Sequence, residues 1–259
     1  MRKCTVYTIT IVLFLLVSCS GVVDESADDT SRKLTVGAAV SLVDVLEEVK
    51  EQFEQTYDVE VTFTLGSSGK IAQQIERGAP IDLFISANDD WIDYLAERDE
   101  IDTTSRATIA TNKLALITHE NSGLTYDSFQ AIDATHINYL ALGEPTSVPA
   151  GKYSKALLQS LGKWETLEEK IVYAQDVRQV VTFVASENAT LGIVYASDAT
   201  ASNDVLTLAT SDAKTDDIAY EAAVIQHRPN EEQARLFLEF LLREETEQFF
   251  LKHGFSQKD

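Results

Sequence analysis

The stretch "VTFTLGSSGKIAQQIERGAP", residues 61–80, decides how the rest of this chain is interpreted. A strand-like run ends in four small residues, Gly66-Ser67-Ser68-Gly69, and a helix-like run follows immediately. The first turn of a helix has unpaired N–H donors and carries the positive end of the helix dipole, so an anion can bind there. A serine that only caps the helix explains the same residues. The other segments of the chain must decide between these two interpretations.

Strand-like and helix-like segments alternate along the rest of the chain. The predicted strands cover 34–39, 59–64, 82–86, 113–118, 137–142, 171–173, 191–195, 205–208 and 218–226. The predicted helices cover 42–53, 70–77, 152–161, 177–186, a segment around Trp91 and an amphipathic C-terminal segment. This alternation indicates an α/β fold with largely parallel sheets, and the number of units indicates two lobes.

The N-terminal residues have the pattern of a secretory signal. Arg2 and Lys3 precede a mainly apolar run over 6–17, which is too short to suit a bilayer-spanning helix. The run ends in Leu16-Val17-Ser18-Cys19, which resembles the lipobox of bacterial lipoproteins, in which the cysteine becomes the lipidated first residue. Residues 1–18 are therefore predicted to be the signal, and 19–32 the lipidated Cys19 with a flexible tether. A plain signal peptide that is cut elsewhere is the alternative.

The chain is strongly acidic, with 42 Asp and Glu against 21 Lys and Arg. Loss of Arg2 and Lys3 with the signal takes the formal net charge from −21 to −23. Such a surface argues against binding to nucleic acid or to anionic lipid. It permits an anionic ligand in a site built from local dipoles. Because Cys4 leaves with the signal, the mature chain has no pair of cysteines for an internal disulfide.

Catalytic motifs are incomplete in this sequence. The segment Gly66-Ser67-Ser68-Gly69-Lys70 lacks the spacing of a phosphate-binding P-loop, and Lys70 stands where a nucleophile elbow needs its closing glycine. The histidines do not lie at metal-ligand spacing from one another; they are His119, His136, His227 and His253. We therefore predict that the chain is not an enzyme and that its side chains coordinate no metal directly.

Four predicted helices begin with exposed donors directly after a strand. Their first residues are Ser41, Ser68, the pair Ala150-Gly151, and Val177. Capping explains each one alone. Ligands of open α/β sheets bind beyond the carboxyl ends of the strands, often at helix N-termini, so four such starts together favour an anion site.

Six motifs that occur in a fixed order along the chain resemble those of one protein family. They are Ala38-Ala39-Val40-Ser41-Leu42, Gly66-Ser67-Ser68-Gly69, Gly78-Ala79-Pro80-Ile81-Asp82-Leu83-Phe84-Ile85-Ser86-Ala87, Val148-Pro149-Ala150-Gly151-Lys152-Tyr153, Asp176-Val177-Arg178 and Leu191-Gly192-Ile193-Val194-Tyr195. Together they resemble the periplasmic molybdate-binding proteins of ABC importers over essentially the whole chain after Arg32. One departure is Gly69, where many members have a third serine; we expect it to affect only loop rigidity.

The resemblance implies the two-lobed, type II periplasmic-binding-protein fold, with an oxyanion in the cleft between lobes joined by crossing strands. Lobe 1 is expected to comprise 33–111 and 225–259, and lobe 2 to comprise 112–224. The expected ligand donors are Ser41, Ser68, Ala150, Val177 and Tyr195. Ser41 and Ser68 would donate through hydroxyl and backbone groups. Ala150 and Val177 would donate through backbone N–H groups, and Tyr195 through its phenolic O–H. Arg178 and Lys152 are expected to attract the anion without binding it directly.

The resemblance further implies that a monomer captures molybdate, and tungstate too, without a cofactor. It would be lipid-anchored outside the cytoplasm and deliver the oxyanion to an ABC permease. A cage of donors rejects a ligand that keeps a proton, such as monohydrogen phosphate, whereas cavity size must separate sulfate from the larger anions. The alternatives are a binding protein for another tetrahedral oxyanion, such as sulfate, and a two-lobed secreted enzyme. Porphobilinogen deaminase has that architecture but needs an internal cysteine, which the mature chain lacks.

Overall fold

The computed structural model describes residues 33–211 and 218–256, which form two α/β lobes. The predicted signal peptide, the lipidated Cys19 and the tether lie outside the described residues. In the described part of the chain, each lobe is built around one five-stranded sheet with helices packed against it. This arrangement agrees with the two-lobed α/β fold predicted from the alternating pattern.

Lobe 1 contains the N-terminal strands and the C-terminal helices. Its elements are β1 (Lys33–Ala39), α1 (Val43–Thr56), β2 (Glu60–Gly66), α2 (Ser68–Glu76), β3 (Leu83–Ser86), α3 (Asp90–Ala96), β4 (Ala107–Asn112), β10 (Ile218–Val224), α8 (Glu231–Leu241) and α9 (Glu244–Lys252). The strand order is β2-β1-β3-β10-β4. Helix α1 buries the apolar residues at helical spacing, and its Phe53 ring meets Phe237 of α8 edge-on, with the ring centroids 4.9 Å apart. The C-terminal helix α8 therefore closes the core of the first lobe.

Lobe 2 is formed by the middle of the chain. Its elements are β5 (Leu114–His119), β6 (Leu140–Gly143), α4 (Pro149–Ser160), α5 (Trp164–Leu167), β7 (Ile171–Ala174), α6 (Val177–Ala185), β8 (Leu191–Tyr195), α7 (Ala196–Thr200) and β9 (Val205–Thr210). The strand order is β7-β6-β8-β5-β9. The strand predicted over 137–142 begins later, at Leu140, because the N–H of Asn138 donates to the Thr190 side chain instead of a strand ladder.

Both sheets are mixed: four of the five strands in each run in one direction, but two of the four pairings are antiparallel, which is less parallel pairing than predicted. In each sheet the strand that runs against the others lies next to a crossing between the lobes. Strand β10 is antiparallel to β3 and β4, and β5 is antiparallel to β8 and β9. The first crossing runs from β4 to β5 through Lys113. At the second crossing, Ser211 exchanges hydrogen bonds with Leu114, so the two crossing segments lie side by side.

The predicted lobe boundary near residue 224 needs a correction. Strand β10 was placed in lobe 2, but it lies between β3 and β4 in the sheet of lobe 1, with Ile218 opposite Asn112. The chain therefore returns to lobe 1 between Ser211 and Ile218. The sequence prediction also missed β4. A short apolar strand has the same local pattern whichever sheet it joins, and only pairing with its neighbours decides the lobe.

Candidate functional site

A narrow cavity lies between the two lobes, and we call it the cleft cavity. It is bounded by the carboxyl ends of β1, β2 and β8, by Ala87 directly after β3, and by residues of the segments that follow β6 and β7. Its lining residues are Ala39, Val40, Ser41, Gly66, Ser67, Ser68, Ala87, Val148, Pro149, Ala150, Asp176, Val177 and Tyr195. All five residues that the sequence singled out as donors therefore line one cavity, which is where parallel α/β sheets bind ligands.

Two buried serines form the wall from lobe 1, and neither of them caps its helix through its side chain. Ser41 lies in a 3₁₀ turn between β1 and α1, and its Oγ is 2.9 Å from the hydroxyl of Tyr220. Ser68 is the first residue of α2, after an N-cap position occupied by Ser67. Its Oγ accepts a hydrogen bond of 3.0 Å from the N–H of Ala87. The capping interpretation of these two serines is therefore wrong, because each hydroxyl bonds to a distant strand or loop instead of its own helix.

The wall from lobe 2 consists of two helix N-termini. Pro149 begins α4, where its missing N–H costs nothing, and Ala150 follows it fully buried. Val177 begins α6, and the carboxylate of Asp176 caps that helix by accepting the N–H of Gln179 at 2.9 Å. The first N–H groups of a helix have no acceptor within it, so α4 and α6 present donors and positive dipole ends to the cavity.

Glycine at position 151 allows α4 to approach its preceding strand this closely. A Cβ atom on Gly151 would lie 2.0 Å from the carbonyl oxygen of Gly143, the last residue of β6. No side chain can occupy that space, so the helix would have to move away from the strand end. The Ala150-Gly151 pair in the sequence therefore sets the position of the donor wall.

Tyr195 supplies a buried hydroxyl at the end of β8. The residue is 1% exposed, and among the described residues its hydroxyl has no hydrogen-bond partner. Burial, together with the nearby phenol of Tyr220, raises the pKa of the Tyr195 hydroxyl well above its ordinary value. The group therefore stays protonated and can donate. A buried hydroxyl without an acceptor costs free energy unless a ligand satisfies it, and this one borders the cleft cavity.

The two basic residues beside the cavity join the lobes instead of facing an anion. Lys152 of α4 forms an ion pair with Asp90 of α3, and Arg178 of α6 forms one with Asp44 of α1. Neither basic residue lines the cavity. The prediction that they attract the anion stays untested, but the structure shows that both are engaged with carboxylates of lobe 1.

Arg178 has a second carboxylate partner, the fully buried Asp198 of α7. The Arg178 Nε lies 3.3 Å from Asp198 Oδ1. Burial raises the pKa of Asp198 to about 7, and the positive charge of Arg178 only partly opposes this rise. No role for Asp198 follows from the sequence, because nothing in the local pattern shows that this carboxyl is buried.

Gly69 lies at a contact between the two lobes. Its N–H donates to the carbonyl of Ser147 in lobe 2 at 3.1 Å. A Cβ atom on Gly69 would lie 2.5 Å from the ring of Trp91 and 2.7 Å from that same carbonyl oxygen. The expectation that this glycine affects only loop rigidity is therefore wrong. In this chain it provides the space in which Trp91 and lobe 2 pack.

The cavity donors are neutral groups. Among the described residues, no group of three or more His, Cys, Asp or Glu is placed to hold a metal ion. Across the same residues, none of the helices combines the length and the apolar character that crossing a bilayer requires. The arrangement can satisfy the oxygens of an anion through hydroxyl and N–H donors at four helix starts.

Comparison with known proteins gives matches over nearly the whole described chain. The family model described as bacterial extracellular solute-binding protein matches residues 34–256. The molybdate-binding protein ModA of Escherichia coli K12 is 38% identical over 231 residues, which cover 87% of this chain and 90% of that protein. A putative ABC transporter substrate-binding lipoprotein of Bacillus subtilis, YvgL, is 33% identical over 98% of both chains.

A solved structure shares the same architecture. It is the substrate-binding domain of a putative molybdenum ABC transporter from Clostridium difficile, with 34% identity and a TM-score of 0.68. The alignment covers 88% of this chain and 99% of that one. The similarity therefore extends through both lobes and the crossings between them.

Proposed function

The chain belongs to the bacterial extracellular solute-binding proteins, and on that premise we propose that its cleft cavity captures molybdate for an ABC importer. The observation that carries the proposal is the convergence of five separate donors on one cavity between the lobes. The proposed ligands are Ser41, Ser68, Ala150, Val177 and Tyr195. The relatives named as molybdate-binding support the choice of anion.

The chemistry of these donors suits a fully ionised oxyanion. Hydrogen bonds to a charged group are each worth roughly 1.5–3 kcal/mol, so several of them can outweigh the cost of removing a dianion from water. A ligand that keeps a proton at neutral pH, such as monohydrogen phosphate, needs an acceptor in the cavity. The carboxylate of Asp176 is the one charged group of the described lining, and it already caps α6. Tungstate has the charge and nearly the size of molybdate, so we propose that it binds as well.

We propose that the chain acts as a carrier and not as an enzyme, as a monomer held outside the cytoplasm by a lipid on Cys19. Its partner would be the permease of an ABC importer. The polar contacts that join the lobes around the cavity support a mechanism in which closure marks the loaded state. Molybdate itself is the cargo, and no cofactor is required.

Calorimetric titration of the purified protein with molybdate, tungstate, sulfate and phosphate tests the proposal. We expect one-to-one binding of molybdate and tungstate with a Kd below about 1 μM, which corresponds to roughly −8 kcal/mol. Sulfate should bind far more weakly, and phosphate should not bind measurably. Equal binding of sulfate would move the assignment to another tetrahedral oxyanion. Absence of binding for all four anions would refute the proposed function.

The matched variants are Ser68→Ala and Ser67→Ala. Both serines are buried and both line the cleft cavity, but only Ser68 is proposed to bind the oxyanion. We expect the loss of affinity for molybdate to be larger by about tenfold in Ser68→Ala, the equivalent of one charge-assisted hydrogen bond. A larger loss in Ser67→Ala would contradict the assignment of the ligand serine.

A further inference from the structure

We propose that Tyr220 is a positioning residue that orients the hydroxyl of Ser41 as a donor toward the oxyanion. The inference rests on the proposed function of the cleft cavity, and it concerns a residue that does not line that cavity. Tyr220 belongs to β10, 179 residues from Ser41, and its hydroxyl lies 2.9 Å from Ser41 Oγ. Because its hydroxyl bonds to Ser41 and does not line the cavity, we expect that hydroxyl to act on the ligand through the serine.

The ring of Tyr220 is held rigidly. The residue is fully buried, and its ring packs edge-on against Tyr195 and Phe255, with centroid distances of 5.6 and 5.3 Å. A ring fixed on two sides leaves the hydroxyl one position, in contact with Ser41. The geometry of the pair is therefore set by packing in the core of lobe 1 and at the crossing.

The direction of the hydrogen bond in the loaded protein follows from the single proton of Ser41. A serine hydroxyl that donates its proton to an oxyanion can only accept from its second partner. Burial raises the pKa of the Tyr220 phenol well above its ordinary value, so the phenol keeps its proton. With an oxyanion bound, the proton of Tyr220 is therefore directed to Ser41 Oγ, 2.9 Å away.

The consequence for Ser41 is that its own proton is free for the cavity. When its oxygen accepts from Tyr220, 2.9 Å away, donation back along the same line is not possible. The N–H of Ala87 fixes Ser68 in the same way, since a backbone N–H is a donor only. Each serine of lobe 1 thus has a hydrogen-bond donor behind it, which leaves the hydroxyl proton of the serine for the ligand. Preorganised donors bind an anion more tightly because less rotational freedom is lost on binding.

A double-mutant cycle on the purified protein tests this role. Molybdate affinity is measured for the wild type, Tyr220→Phe, Ser41→Ala and the combined variant, with thermal unfolding recorded for each. Phenylalanine keeps the buried ring and removes the hydroxyl. We expect Tyr220→Phe to weaken binding about three- to tenfold, the typical net contribution of one hydrogen bond. In the Ser41→Ala background the same change should have no further effect.

The matched control is Tyr126→Phe, because the hydroxyl of Tyr126 is also buried but has no hydrogen-bond partner among the described residues. It should leave molybdate affinity unchanged. An equal loss from Tyr220→Phe with and without Ser41 would show that the tyrosine acts through packing, and would overturn the inference. Unchanged affinity in Tyr220→Phe would overturn it too.

A second variant keeps the test independent of the folding of Tyr220→Phe. Asn112 is a diagonal neighbour of Tyr220 on the paired strand β4. Asn112→Asp places a carboxylate acceptor there, so the Tyr220 proton turns to the carboxylate and Ser41 must donate to the phenol. We expect affinity for molybdate to fall at least tenfold in Asn112→Asp. The part of that loss that acts through Ser41 should vanish when Ser41→Ala is combined with it. A loss of the same size with and without Ser41 would refute the orientation of Ser41 by Tyr220. Absence of molybdate binding in the wild type would instead refute the proposed function itself.

Discussion

Replacement of Tyr195 by phenylalanine is expected to change folding stability and ligand affinity in opposite directions. Its hydroxyl is buried at the cleft cavity without a partner among the described residues. Removing a buried, unsatisfied hydroxyl relieves a desolvation penalty of about 1–3 kcal/mol. Without molybdate the variant should therefore be more stable by roughly 1 kcal/mol, which raises the Tm by about 2–4 °C for a chain of this size.

The effect on binding follows from the bond that the hydroxyl would make. A charge-assisted hydrogen bond is worth about 1.5–3 kcal/mol, so Kd should rise about 10- to 150-fold. At a molybdate concentration of 100 times the wild-type Kd, the ligand stabilises the wild type by about 2.7 kcal/mol. The same concentration should stabilise Tyr195→Phe by only about 0.3–1.4 kcal/mol. The order of the two melting temperatures should therefore reverse when molybdate is added.

The assay is thermal unfolding of both proteins with and without sodium molybdate, together with calorimetric titration. Tyr126→Phe serves as the control, because its hydroxyl is also buried without a partner among the described residues but does not line the cavity. It should gain stability without losing affinity. The reasoning fails if Tyr195→Phe binds molybdate as tightly as the wild type, or if it is less stable in the absence of molybdate.

Three further predictions concern closure and pH. Burial raises the pKa of Asp198 to about 7, so the folded protein holds a proton that the unfolded chain releases near pH 4. Stability should therefore fall by up to about 4 kcal/mol between pH 4 and pH 7 relative to Asp198→Asn, as measured by urea unfolding; a pH-independent difference would contradict this. Gly69→Ser should weaken molybdate binding at least tenfold, because the added Cβ would lie 2.7 Å from the carbonyl oxygen of Ser147 in lobe 2, and small-angle scattering should show a more open molecule. Arg178→Ala should lower the free energy of unfolding more than Lys152→Ala, because it leaves the buried carboxyl of Asp198 without its arginine. The ion pair of Lys152 with Asp90 is half exposed and worth only about 0–1 kcal/mol. Equal losses of stability in chemical denaturation would refute this prediction.

The local pattern of the sequence was sufficient for the fold class. Apolar residues at helical spacing predicted α1, and the run "LGIVY" predicted β8 with its observed bounds. These features depend on neighbours a few residues away, so they can be recognised in one segment at a time. The lobe to which β10 belongs could not be recognised in this way, because membership of a sheet depends on pairing with β3 and β4.

For the candidate site, the sequence determined which residue types were available. The five expected donor residues, four at helix starts and Tyr195 at the end of β8, were predicted from the motifs and the family resemblance, and all five line the cleft cavity. The identity of a donor is a property of the residue and of its place at a helix start, and both are local. What could not be predicted was the role of Gly69, which depends on the ring of Trp91 packing against it.

Only the tertiary structure determined which groups hydrogen-bond to the donors of the site and which ion pairs join the lobes. The contact of Tyr220 with Ser41 joins residues 179 apart, and the pair of Arg178 with Asp44 joins residues 134 apart in different lobes. Such contacts have no periodic signature, because they arise when two separately folded sheets are brought together by the crossing strands. The sequence by itself thus determined an α/β chain with donors at its helix starts. The packing of the lobes determined that these donors meet in one cavity, which way the serine points, and how the lobes are held.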